Sequence, residues 1–195
     1  MPGPGGGGSA AMRVTREQAA ANRERIVEVA SRLFRERGFE GVGVDEIMRA
    51  AGLTHGGFYG HFRSKEELAA EALAHACAES AARLPAAGSG EAGLAAFAAR
   101  YLSAEHRDDV GGGCPIAALA VDAARMDGPA RAVLAEAVRG MIERVSGLVE
   151  GETEAARRAR AEGVVAELVG RVVLGRVVGE GMAGEGKATK GDLVV

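Results

Sequence analysis

Two short apolar segments on either side of Gly52-Leu53-Thr54 constrain this chain more than anything else in it. Before the break, Val44, Ile47, Met48 and Ala51 fall on one face of a short helix capped by Gly43. Asp45 and Glu46 occupy its first turn, where carboxylates complement the helix dipole. After the break, Thr54 is placed to cap a third helix, and Phe58 and Phe62, spaced i,i+4, are its inward anchors. Gly56, Gly57 and Gly60 each cost roughly 1 kcal/mol relative to Ala in a helix interior, so this segment depends on tertiary contacts. In return they remove bulk and let the backbone approach another surface closely. No acidic residue lies between Gly52 and Lys65, while His55, His61, Arg63 and Lys65 do lie in that stretch. The pattern is that of a helix-turn-helix whose second helix meets a polyanion in the major groove.

The flanking segments extend this unit. Thr15 with Gln18 forms a capping-box pattern, and Ile26, Ala30, Leu33 and Phe34 make an apolar stripe that ends at Gly38. Arg13, Arg16, Arg23 and Arg25 crowd the start of this first helix. Each is as consistent with a solvated face as with DNA, but Arg13 and Arg16, in or near a flexible entry, are the ones within reach of a groove or backbone. A fourth helix opens on Ser64-Lys65-Glu66-Glu67, a second capping box, and turns Leu68, Ala72 and Ala76 inward. Lys65 sits in its first turn, where backbone N–H groups favour anions. Tyr59, turned away from the Phe pair, offers its hydroxyl to a phosphate oxygen, and His61 is placed to do the same.

With 47% apolar residues but only 4% aromatics and no Trp, the core must be built from Ala, Val and Leu, which favours close helix packing. No run approaches 18 uncharged apolar residues, and Met1–Met12 lacks a cationic region followed by an apolar core, so neither a membrane span nor a signal peptide is expected. Cys77 and Cys114 are too few to staple a chain of this size. The expected setting is a reduced cytoplasm. Residues 12–65 carry ten Lys/Arg against seven Asp/Glu, whereas residues 66–195 carry fourteen against twenty, a basic end on an acidic body. Residues 1–14 are expected to be a disordered tail, with Met12 as an alternative translation start; Gly3, Gly5 and Gly8 match G-x-G-x-x-G without a preceding strand. His55, His61, His75 and His106 lack metal-ligand spacing, and neither a nucleophile elbow nor a P-loop occurs. Neither a cofactor, a metal site nor a catalytic residue is expected, and Asp108-Asp109 reads as a solvated loop.

Beyond a loop over Pro85–Glu91, Leu94, Phe97, Ala98, Tyr101 and Leu102 mark a fifth helix, closed by the polar segment Glu105–Gly113. Cys114-Pro115 opens the next with Pro at N1, and Ile116, Leu119 and Ala120 inward. Gly128-Pro129 starts a helix with a heptad-like seam, Leu134, Val138, Met141, Val145 and Leu148. Thr153 caps a long last helix reaching about Val178, in which the Glu167–Arg171 pair argues against strands and Gly163 and Gly170 permit close approach of a partner.

The residues Phe34-Arg35-Glu36-Arg37-Gly38-Phe39, Val44-Asp45-Glu46-Ile47, Ala51-Gly52-Leu53-Thr54 and Phe58-Tyr59-Gly60-His61-Phe62 with Lys65-Glu66 resemble, in order and spacing, the DNA-binding domain of the TetR family of bacterial transcriptional regulators. Gly-Cys-Pro followed by Ile116-Ala117-Ala118-Leu119 is similar to a stretch in the C-terminal domains of a TetR subgroup. One departure stands out: family members often carry Ser or Thr around positions 42 and 43, where this chain has Val42 and Gly43. The resemblance implies an all-α fold: a head at 15–62, a linking helix at 63–82, an effector-binding and dimerisation domain at 83–180, and a tail at 181–195. It implies a homodimer through the C-terminal helices, acting as a repressor that binds a palindromic double-stranded DNA operator and is released by a small apolar effector. On that reading Thr54, His55 and Gly56 read bases, Tyr59, His61 and Lys65 hold phosphates, and Arg13 and Arg16 reach along a groove or the backbone. Phe97, Tyr101 and Met141 are the effector-pocket candidates. The alternatives are an architectural DNA binder without effector control, and a helical carrier or enzyme.

Overall fold

The computed structural model describes residues 15–84 and 88–179, so Arg13 and the two tails lie outside the described residues. Eight α-helices and one 3-10 helix, with no strand, are found among them. Helix α1 (Arg16–Arg37) is capped by Thr15, whose hydroxyl accepts from the Gln18 N–H at 3.1 Å. The reciprocal half of the box is absent, because the Gln18 side chain donates instead to Asn22 Oδ1. Helix α2 (Val44–Ala50) ends at Gly52, whose φ of 71° is open to glycine and strained for other residues.

The expected third α-helix is a 3-10 helix, His55–Gly60. Three glycines in six residues remove the propensity for a full α-turn, and the chain closes the tighter i→i+3 bond from the Gly57 N–H to Thr54 O. Thr54 holds the cap position through its backbone alone, its hydroxyl making no cap bond. Phe58 and Phe62 are buried and stacked with centroids 5.7 Å apart, and they fasten the segment to Ile26, Ala30, Phe34, Ile47, Met48 and Leu68. Val42, the departure noted above, is fully buried in this cluster. Burying side chains of this size stabilises by about 1.5–3 kcal/mol each, which outweighs the glycine penalty.

Helix α3 (Lys65–Arg83) runs from the head into the body, packing on α1 at one end and on a later helix at the other. Ser64 caps Glu67 N–H, and the Glu67 carboxylate reaches back to the N–H of Arg63 rather than of Ser64. Helix α4 (Gly90–Tyr101) is followed by α5 (Ala104–Asp108), a short helix capped by Ser103 where a polar connection had been expected. Helices α6 (Pro115–Ala124), α7 (Pro129–Ser146) and α8 (Glu154–Val178) complete the body.

The heptad seam on α7 is internal. Leu134, Met141, Val145 and Leu148 are buried within the single chain, and α7 packs mainly on α3 and α8. The outward face of α8 instead carries its own 3-4 spaced stripe: Gly163, Ala166, Gly170, Val173 and Val177. Val177 is 80% exposed and Leu174 beside it 53%, and a Cβ on Gly163 or Gly170 would meet open space.

Candidate functional site

The head presents a surface around the 3-10 helix. Thr54, His55, Gly56, Tyr59 and Gly60 are exposed, Tyr59 at 71%, while His61 and Lys65 are half-buried beside them. Tyr59 is held edge-on against both Phe58 and His55, so its ring stands off a rigid aromatic base with the hydroxyl outward. His55 is not a bare recognition residue: its Nδ1 contacts the Asp45 carboxylate at the start of α2. Added Cβ atoms on Gly56 and Gly60 meet nothing within 4 Å, whereas Gly57 faces the Met48 methyl. Arg16 lies exposed at the start of α1. Arg49 on α2 and Arg63 before α3 are exposed cations flanking the segment to which the sequence reading gave no role; their signal was an outward position next to a buried one.

Arg23 has a structural task. It forms a bidentate pair with Glu71 at 2.5 Å and lies 4.6 Å above the Phe62 ring, tying α1 to α3 behind the DNA-type surface. The Glu71 carboxylate raises the Arg23 guanidinium above its ordinary value.

In the body, α3, α6 and α7 surround a cavity of about 560 Å³. Cys77, Leu84, Ile116, Val133, Ala137 and Met141 supply apolar wall; Tyr101, Cys114 and Pro115 close one side, and Ser80, Glu136 and Arg144 add polar groups. Of the three pocket candidates, Tyr101 and Met141 line this space. Phe97 does not: it is fully buried, stacked against Tyr101 with centroids 6.0 Å apart. Burial pushes the Cys77 thiol up to about 11 and drives the Tyr101 phenol out of any accessible titration range.

The loop Gly111–Cys114 joins the cavity to the head. Asp109, expected in a solvated loop, accepts from the Gly112 N–H at 2.9 Å and pairs with Arg32 of α1 at 3.3 Å. A Cβ on Gly112 would lie 2.0 Å from that carboxylate, so the loop closes only with glycine there. Arg83 donates to Gly112 O at 2.6 Å. Arg35 of α1, 4% exposed, donates to Gly113 O, to Ser31 and to Glu79 of α3. His106 completes the arrangement: its Nδ1 donates to Tyr101 O and its Nε2 accepts from the Cys114 N–H at 3.1 Å, which fixes one neutral tautomer. Burial and the nearby Arg176 and Arg100 lower its pKa, against the opposing pull of Tyr101 O and Asp109. No cluster of His, Cys, Asp or Glu suited to a metal ion occurs among the described residues, nor a helix long and apolar enough to cross a membrane.

Comparison with known proteins matches both halves. Residues 26–72 fit the family model for bacterial regulatory proteins of the tetR family, and residues 90–173 fit that for the tetracyclin repressor-like C-terminal domain. The HTH-type transcriptional regulator AcrR of Shigella flexneri is 41% identical over 59 residues, a stretch covering 30% of this chain and 27% of that protein. The crystal structure of a TetR transcriptional regulator from Chloroflexus aurantiacus aligns over 83% of this chain and 87% of its own, with TM-score 0.71 and 27% identity. AibR, in a crystal structure with isovaleryl coenzyme A and operator DNA, shares the fold over 80% of this chain and 86% of its own, with TM-score 0.58 and 20% identity. With a head and a body each matched by its own domain model, the chain belongs to the TetR family of bacterial regulatory proteins.

Proposed function

We propose that this protein is a homodimeric transcriptional repressor of the bacterial cytoplasm, which binds a palindromic operator and is released by a small, largely apolar effector. The observation that carries the reading is the continuous connection from the exposed Thr54–Tyr59 surface, through α2, α1 and the buried Arg35, to the loop that forms one wall of the cavity. Base contacts belong to Thr54, His55 and Gly56, where side chains are short and the backbone is bare. Tyr59, His61 and Lys65, with Arg16 at the entry to α1, hold phosphates and supply affinity and salt dependence rather than sequence choice. The protein acts by binding, without catalytic residue or cofactor.

Dimerisation uses the outward stripe of α8. Its 3-4 spacing suits packing near +20°, and Gly163 and Gly170 let two backbones approach. A second copy covers Val173, Leu174 and Val177, which are otherwise exposed. The two heads then face successive major grooves.

Release requires an effector with different affinity for the operator-bound and free arrangements. A ligand that displaces Cys114 or Pro115 moves Gly113, and with it the hydrogen bond that orients Arg35 on α1. The test is a gel shift with DNA from upstream of the protein's own gene. A discrete complex that survives excess competitor DNA supports the proposal. Equal, salt-sensitive binding to every sequence points to an architectural protein, and no binding at all to a carrier.

A further inference from the structure

We infer that the cavity takes a ligand with an apolar body ending in a carboxylate, and that the carboxylate docks at the N-terminus of α6 beside Tyr101. This rests on the reading of the cavity as the effector site. Tyr101 is 1% exposed and lines the cavity, yet apart from the Cys114 thiol beside it, a weak partner, its hydroxyl has no hydrogen-bond partner. Buried hydroxyls are normally satisfied, and one left over beside a cavity marks a place where a ligand supplies the acceptor.

Beyond that thiol, the backbone facing the phenol offers donors. Helix α6 starts at Pro115 with no side-chain cap from Cys114, so the first-turn N–H groups of Ile116 and Ala117 face the positive end of the helix dipole without one. Pro115 and Ile116 are themselves cavity wall. Behind that wall, Arg176 of α8 packs on Gly113, where a Cβ would lie 3.0 Å from its Nη2. Its Nε donates to Arg107 O at 2.9 Å, while Nη2 is buried without an acceptor. The uncapped helix start and the phenol lie in the cavity wall, with the unsatisfied guanidinium N–H behind it, and what they lack in common is an anionic oxygen. The acidic group in the lining, Glu136, is exposed and paired with Arg139 at 2.9 Å, so it does not oppose an anion at the Tyr101 end. Arg144, also in the lining, donates to Ala81 O and Leu84 O. Apart from Ser80, the rest of the wall is apolar, which suits a hydrocarbon body.

Isothermal titration calorimetry of the full chain with decanoate, 1-decanol and the neutral dye Nile red tests this. Decanoate is expected to bind at least tenfold more tightly than 1-decanol. Tyr101→Phe, which keeps the ring and its stacking on Phe97, should weaken decanoate at least tenfold and leave 1-decanol within twofold, which also reports that the variant is folded. Arg176→Gln should weaken decanoate in the same selective way. If 1-decanol or Nile red binds but decanoate binds no better, or if Tyr101→Phe leaves decanoate unchanged, the carboxylate site is wrong while the cavity reading survives. If none of the three binds, the cavity is not a ligand site and both fail.

Discussion

Arg35 Nη1 donates to Gly113 O at 3.0 Å, across 78 residues of sequence, and this single bond joins the first helix of the head to the loop that walls the cavity. The same guanidinium bonds Ser31 on its own helix and the Glu79 carboxylate of α3, so two helices and one loop meet on a side chain 2% exposed. Removing one partner of a buried charged pair is expensive. Arg35→Met should therefore lower stability by on the order of 3 kcal/mol, measured by urea unfolding. It should also leave operator binding less responsive to effector, since the Gly113 link is gone. Full stability with unchanged effector response would remove Arg35 from this role.

Tyr59→Phe and Lys65→Ala should weaken binding to operator and to random DNA by similar factors, measured by fluorescence anisotropy across salt concentrations. Lys65→Ala should reduce the slope of log K against log salt by about 1, while Tyr59→Phe leaves the slope unchanged because no charge is lost. A change in sequence preference alone would show that these two residues read bases.

Dimerisation should depend on α8 rather than on the α7 seam. Val177→Glu adds a charge to a side chain 80% exposed in the single chain, so the fold should stand. In sedimentation equilibrium the parent should appear at twice the 19.9 kDa chain mass and the variant at the monomer mass. A dimeric Val177→Glu protein, together with a monomeric variant at some other face, would move the interface elsewhere.

His106 gives the fold a pH dependence. Its pKa is lowered in the folded state, chiefly by burial, and the neutral ring both donates to Tyr101 O and accepts from the Cys114 N–H. The unfolded chain, with an ordinary histidine near 6.5, takes up the proton first as pH falls. Stability should be at its full value above about 6.5 and decline from there toward the lower folded pKa. Urea midpoints from pH 8 to 5 should show this slope, and His106→Asn should flatten it. An equal slope in both proteins would assign it to other groups.

Much of the head was legible because its signals are local. Thr15, Gly52 and Ser64 mark element boundaries by capping and turn chemistry, and the Phe58–Phe62 spacing declares an inward pair before any partner is known. What the sequence withheld was the identity of distant partners. The α7 seam shows that the helix packs but not on what, and it is α3 and α8 of the same chain that occupy the face. Arg35 looks like an ordinary cation in the last turn of a helix until Gly113 is brought beside it. Phe97 and Tyr101 share one helical face, so their spacing alone does not say which borders the cavity. The five residues of α5 are too few to show a helical period.

The central claim is that two heads of one dimer read a palindrome through Thr54–Gly56, and hydroxyl-radical footprinting of the upstream DNA tests it most directly. The account predicts two protected patches related by a dyad, on one face of the duplex and in successive major grooves, both lost together in Val177→Glu. Protection of a single patch, or uniform protection without a dyad, would contradict it.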